Sequence, residues 1–107
     1  MDFAVAVRGS GHVELAAYGL ADAEHQVEKE IRTLWPDAVA VDVLDVARMD
    51  EASRIVEEFR VRYRVRGTIP VTADTEADAH KAALRTMRDR FIGSRFERIT
   101  WEVVPVA

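Results

Sequence analysis

Residues 59–68 read FRVRYRVRGT, with arginine at 60, 62, 64 and 66 and an apolar or aromatic side chain at 59, 61, 63 and 65. Only an extended chain repeats every second residue, so this alternation dictates a β-strand with one buried and one wet face. On the wet face Arg60, Arg62, Arg64 and Arg66 form a cationic row about 20 Å long, because same-face side chains recur every ~6.6–6.8 Å. Such a row could track phosphates. Sheet surfaces that read single strands, however, interleave basic groups with aromatic rings on the same face. Here Phe59 and Tyr63 have the opposite parity, and Trp101 belongs with Ile99 and Val103 in a run assigned to the core.

Charge elsewhere in the chain supplies partners for the row. Residues 1–53 hold 4 basic and 11 acidic side chains, whereas residues 54–107 hold 11 basic and 8 acidic, so the halves are electrostatically complementary. Glu14, Asp42 and Glu102 are the carboxylates expected at outward parity. Four adjacent like charges repel, and an unpartnered row would be a poor arrangement for stability alone. The leading expectation is therefore a charge-complementary protein interface, and the overall charge of −4 argues against long-range attraction to a polyanion.

The remaining periodicities organise the chain into two similar halves. Phe3-Val5-Val7 and Val13-Leu15-Ala17 alternate on either side of RGSGH, which predicts a hairpin with its turn at residues 8–12. A helix is expected over 21–35, with Ala23, Val27, Ile31 and Leu34 in one stripe and Pro36 beyond its end. AVAVDVLDV, residues 38–46, is a strand. In the second half the Arg-rich strand is followed by GTIPVTAD and by a helix over 75–92 with Ala77, His80, Leu84, Met87 and Phe91 in its stripe. Gly93 stops that helix and FERITWEVVPV closes as a strand. Residues 48–58 suggest a short helical turn.

The order ββαβ thus occurs twice, in pseudo-repeats 1–48 and 57–107, supported by VRGS at 7–10 against VRGT at 65–68 and IRTL at 31–34 against LRTM at 84–87. This predicts one α+β domain over 1–107, ferredoxin-like in the broad sense: a largely antiparallel sheet with both helices on one face. Its core should contain Val5, Val7, Leu15, Val27, Ile31, Leu34, Val41, Val43, Val61, Tyr63, Val65, Leu84, Met87 and Trp101. IPVTADTEADAHKAA, residues 69–83, resembles the strand-to-helix passage of many small bacterial ββα units, including those of HicB-type antitoxins, and no family is assigned from it.

Chemistry-bearing motifs are sparse. With no cysteine there is no disulfide, thiolate nucleophile or sulfur-ligated zinc. RGSGH lacks the spacing of a phosphate-binding loop. Ser10, Ser53 and Ser94 sit in no nucleophile-elbow context. His12, His25 and His80 are scattered; His25 with Asp22 and Glu28, and His80 with Glu76, are helical-turn neighbours of a kind common on helix surfaces. No catalytic residue, cofactor or metal is assigned. No stretch reaches the ~20 apolar residues of a membrane helix, and Asp2 and Arg8 are foreign to a signal peptide. The expectation is a cytoplasmic, non-enzymatic interaction or assembly module, self-associating as a dimer or binding another protein through Arg60, Arg62, Arg64 and Arg66 or an edge strand, without a membrane partner. The alternatives are a nucleic-acid or anionic-ligand binder using the same arginines and a small enzyme with an unrecognised pocket.

Overall fold

A computed structural model describes residues 1–49 and 55–105. The elements are β1 (Asp2–Ala17), α1 (Leu20–Leu34), β2 (Ala40–Arg48), β3 (Glu57–Thr72), α2 (Glu76–Phe91) and β4 (Thr100–Val103). The strands form one antiparallel sheet in the order β2-β3-β1-β4. The fold is α+β, with a four-stranded antiparallel sheet and two helices in the broad ferredoxin-like manner. The order is βαββαβ, and neither expected hairpin forms: β1 runs without reversal through residues 8–12, and β3 runs without reversal through GTIPVT. Of the short helical turn expected over 48–58, residues 50–54 lie outside the described residues, and the described flanks are not helical: Arg48 ends β2, and Glu57 and Glu58 begin β3.

The glycines read as a turn serve a different purpose. Gly9 and Gly67 lie on the core face of the two central strands, and each lies under an indole. A Cβ on Gly9 would come within 2.6 Å of the Trp101 ring, and one on Gly67 within 2.5 Å of the Trp35 ring. A glycine inside a strand marks such close approach as readily as it marks a turn. VRGS and VRGT become antiparallel neighbours, with Val7 opposite Gly67, Arg8 opposite Arg66 and Gly9 opposite Val65. Trp35 and Trp101 meet edge-on at 6.0 Å between centroids, and Phe91 tilts against Trp101 at 5.1 Å. Pro70 in β3 sits beyond the reach of β2, whose pairing ends at Ala40 opposite Arg66, so the missing N–H falls at a sheet margin.

Connectivity then sets the shape. β1 and β3 pair over their full lengths, from Asp2 opposite Thr72 to Ala17 opposite Glu57, so their C-terminal ends lie at opposite ends of the ribbon. Short links carry each into its helix. The helices therefore start from opposite ends, and each spans ~22–24 Å, less than half of a 16-residue strand's ~53 Å. They converge on the centre, where Trp35 follows α1 and Phe91 ends α2, and the molecule is elongated at 56 × 29 × 18 Å.

Thr75 caps α2 by accepting the Asp78 N–H at 3.1 Å. Past the helix, Gly93 takes φ +80°, a backbone region that favours glycine. Both helices bury one stripe spaced by four, Ala23, Val27 and Ile31 leading to Trp35, and Ala79, Ala83 and Met87 leading to Phe91. These pack with the odd-numbered residues of β1 and β3 in one core. Ten of the fourteen expected core residues are buried, while Leu34, Val41, Val43 and Leu84 are only partly buried at its margin. Leu84 is displaced because the true α2 stripe runs through two alanines, so Met87 and not Leu84 matches Ile31. Phe96 packs edge-on against Tyr63 at 5.4 Å between centroids from within a run of turns, and β4, expected from residue 96, starts only at Thr100.

Two stability results follow. Ile31→Ala and Met87→Ala should each cost about 2–5 kcal/mol, and Leu84→Ala less than about 2 kcal/mol, in denaturant unfolding. Gly67→Ala should cost at least about 1–3 kcal/mol by overpacking. Adding Trp35→Phe, which shortens the ring, should recover part of that loss; strictly additive losses would show that the indole is not what the new methyl meets.

Candidate interaction face

Since both helices pack on the odd-numbered face of the central strands, the even-numbered face is left uncovered. Arg60, Arg62, Arg64 and Arg66 all lie exposed on it, along the central strand β3, as their parity requires. Phe3, Phe59, Tyr63 and Trp101 all point to the opposite, core side, so the strands supply no aromatic platform for stacked bases. Burial pushes the Tyr63 phenol from 10.0 up to about 12.

The partners of the row differ from strand to strand. Arg60 lies opposite Glu14 of β1 and pairs with it at 2.9 Å. Glu102 of β4, expected to serve the row, instead holds Arg8 at 2.6 Å. Arg8 stands directly opposite Arg66, an unfavourable like-charge neighbour that Glu102 offsets. Asp42 of β2 lies opposite Arg64 and Asp45 opposite Arg62. On the other side, Ser10 neighbours Arg64 and His12 neighbours Arg62. Among the described residues, Arg62, Arg64 and Arg66 make no ion pair, and neither do Asp42 and Asp45.

Arg8 and Asp45 were not legible as members of this face. A turn at RGSGH takes Arg8 out of the sheet, whereas the in-phase alternation from Phe3 to Ala17 is the signal that places it in a strand. Asp45 lies three residues beyond Asp42, which on a regular strand means the opposite face. A register shift between Val43 and Asp45 leaves Leu44 unpaired and returns Asp45 to the arginine side, the re-aiming a β-bulge produces.

A second concavity lies away from this face. A groove of about 660 Å³ between α1 and residues 94–96 is lined by Asp22, His25, Gln26, Lys29, Glu30, Arg95 and Phe96, among others. Many of its polar groups are engaged with one another: Arg95 binds Glu30, and Gln26 donates to Asp22 at 3.0 Å. The Tyr18 N–H and Gln26 hold the Asp22 carboxyl below its ordinary value, which favours a carboxylate linking β1 to α1 over a proton donor. His80 lies 3.5 Å from Glu76 on the surface of α2, and no group of three metal-ligating side chains forms among the described residues. No described helix is long and apolar enough to cross a membrane.

No known protein family, curated protein or solved structure matches the chain.

The Tyr63 environment gives a pH prediction. The folded state keeps its proton longer than the unfolded chain, so this contribution to stability is complete below pH ~10 and is lost as pH rises toward ~12. Ultraviolet titration should show a late tyrosinate step near pH 12, absent in Tyr63→Phe. A full tyrosinate signal by pH ~11 in the folded protein would contradict the burial.

Proposed function

We propose that the chain is a non-enzymatic assembly module of the cytoplasm that associates with a second copy through the open, arginine-bearing face of its sheet. The observation that carries this reading is the charge pattern of that face. A basic stripe on β3 runs beside a strand that contributes Asp42 and Asp45, and three of its four arginines are left without an ion-pair partner among the described residues. A face with acid and base in parallel stripes suits another face of the same kind better than a uniformly anionic polymer, which the acidic stripe would repel. The inward orientation of the strand aromatics also favours a protein partner over single-stranded nucleic acid.

Arg62→Glu together with Arg64→Glu tests the reading. Both side chains are exposed, so circular dichroism should be unchanged, and association measured by light scattering at low salt should weaken at least about tenfold. Oligonucleotide anisotropy is run alongside. Salt-sensitive binding that the double change abolishes, with molar mass unaffected, would replace the assembly reading with nucleic-acid binding. Unchanged mass and no binding in either protein would leave the row as a solvated surface.

A further inference from the structure

The bulge in β2 has an effect that extends beyond its own strand. It brings Asp42 and Asp45 to the same face, level with Arg64 and Arg62 and one strand away, ~4.8 Å. The face therefore repeats one motif twice along the strands: a carboxylate on β2 beside a guanidinium on β3. Neither carboxylate is tied to its neighbour as an ion pair. Above and below this pair of rows, Arg66 lies opposite Ala40 and Arg60 opposite Ala47, so small side chains flank the charged block on β2.

A twofold contact between two such faces has few solutions. Stacking β3 on its copy would put arginine on arginine. Stacking β3 on the copy's β1 would set Arg66 against Arg8 and Arg62 against His12, with only Arg60 meeting a carboxylate, Glu14. Stacking β3 on the copy's β2 sets Arg64 over Asp42 and Arg62 over Asp45, and the symmetry repeats both contacts. It also places Arg66 and Arg60 over Ala40 and Ala47, where long arginine stems can pack on small residues.

Resting on the assembly reading above, we propose that the partner is a second copy of this chain, docked face to face about a twofold axis that runs along the strands between β2 and β3. Arg62 and Arg64 of each copy bind Asp45 and Asp42 of the other. The contact is isologous, with four reciprocal ion pairs, and salt weakens it because its charges sit near solvent.

The test exploits the reciprocity. One variant carries Asp42→Arg and Asp45→Arg, which makes the block wholly basic; the other carries Arg62→Glu and Arg64→Glu, which makes it wholly acidic. Each alone should lose self-association by at least about tenfold, and an equimolar mixture should recover a 1:1 heterodimer in light scattering. Asp42→Asn with Asp45→Asn, which adds no like charge, should weaken the wild-type contact even if the reversed variant folds poorly. If the Arg62/Arg64 variant dissociates while both aspartate variants keep the wild-type mass, or if the mixture stays monomeric, this docking is wrong and assembly through the face in another register survives. A wild-type protein that is monomeric at low salt and high concentration overturns both.

Discussion

Two indole rings pressed onto two bare stretches of backbone hold the centre of this molecule together. Trp35, from the first half of the chain, lies over Gly67 of the second, and Trp101, from the second half, lies over Gly9 of the first. The exchange is reciprocal, and it fixes much else. The central strands must pass beneath the rings without turning, the helices must bring their C-terminal ends to the same spot, and the large apolar side chains of the central strands gather on that side. The far face is left to short or charged side chains. The packing also has a cost, since the buried Trp101 Nε1 finds no hydrogen-bond partner among the described residues.

What could be read from the sequence was the part governed by simple periods. Period two in residues 59–66 put Tyr63 inside and four arginines outside, and it did so correctly because β3 has no bulge along that run. Period 3.6 found both helices within a residue or so of their observed ends. Two of the failures share a cause: one residue type serving two physical ends. Glycine permits a tight turn and also the close approach of a ring, and Arg8-Gly9-Ser10-Gly11 supports either until the indoles are located. Alanine is a weak hydrophobic signal and a good helix former, so the expected α2 stripe holds at Met87 and Phe91 but runs through Ala77, His80 and Leu84 where the buried residues are Ala79 and Ala83. Asp45 is a third kind of failure, because a bulge leaves no trace in a rule that counts by twos.

The charges of the open face follow from the same geometry. A bare sheet surface can be merely solvated, and exposed pairs such as Arg60–Glu14 contribute little on their own. The distinctive point is how the pairing is distributed. Arg8 is paired with Glu102 at one margin and Arg60 with Glu14 at another, while the middle of the face keeps carboxylate and guanidinium side by side without joining them. Arginine suits such a position better than lysine, because its planar fork can meet an incoming carboxylate with two hydrogen bonds at once.

The strand order β2-β3-β1-β4 also bears on how the chain acquires its structure during synthesis. β1 is bounded by β3 and β4, and β2 pairs only with β3, so among the described strands those of the first half share no backbone ladder with each other. As the chain leaves the ribosome, β1 and β2 must wait with their backbone groups solvated until β3, Glu57–Thr72, emerges. Pairing then joins residues as far apart as Asp2 and Thr72, the kind of distant closure that slows folding. A nascent chain halted before β3 would hold α1 with no paired sheet of the first half to pack on.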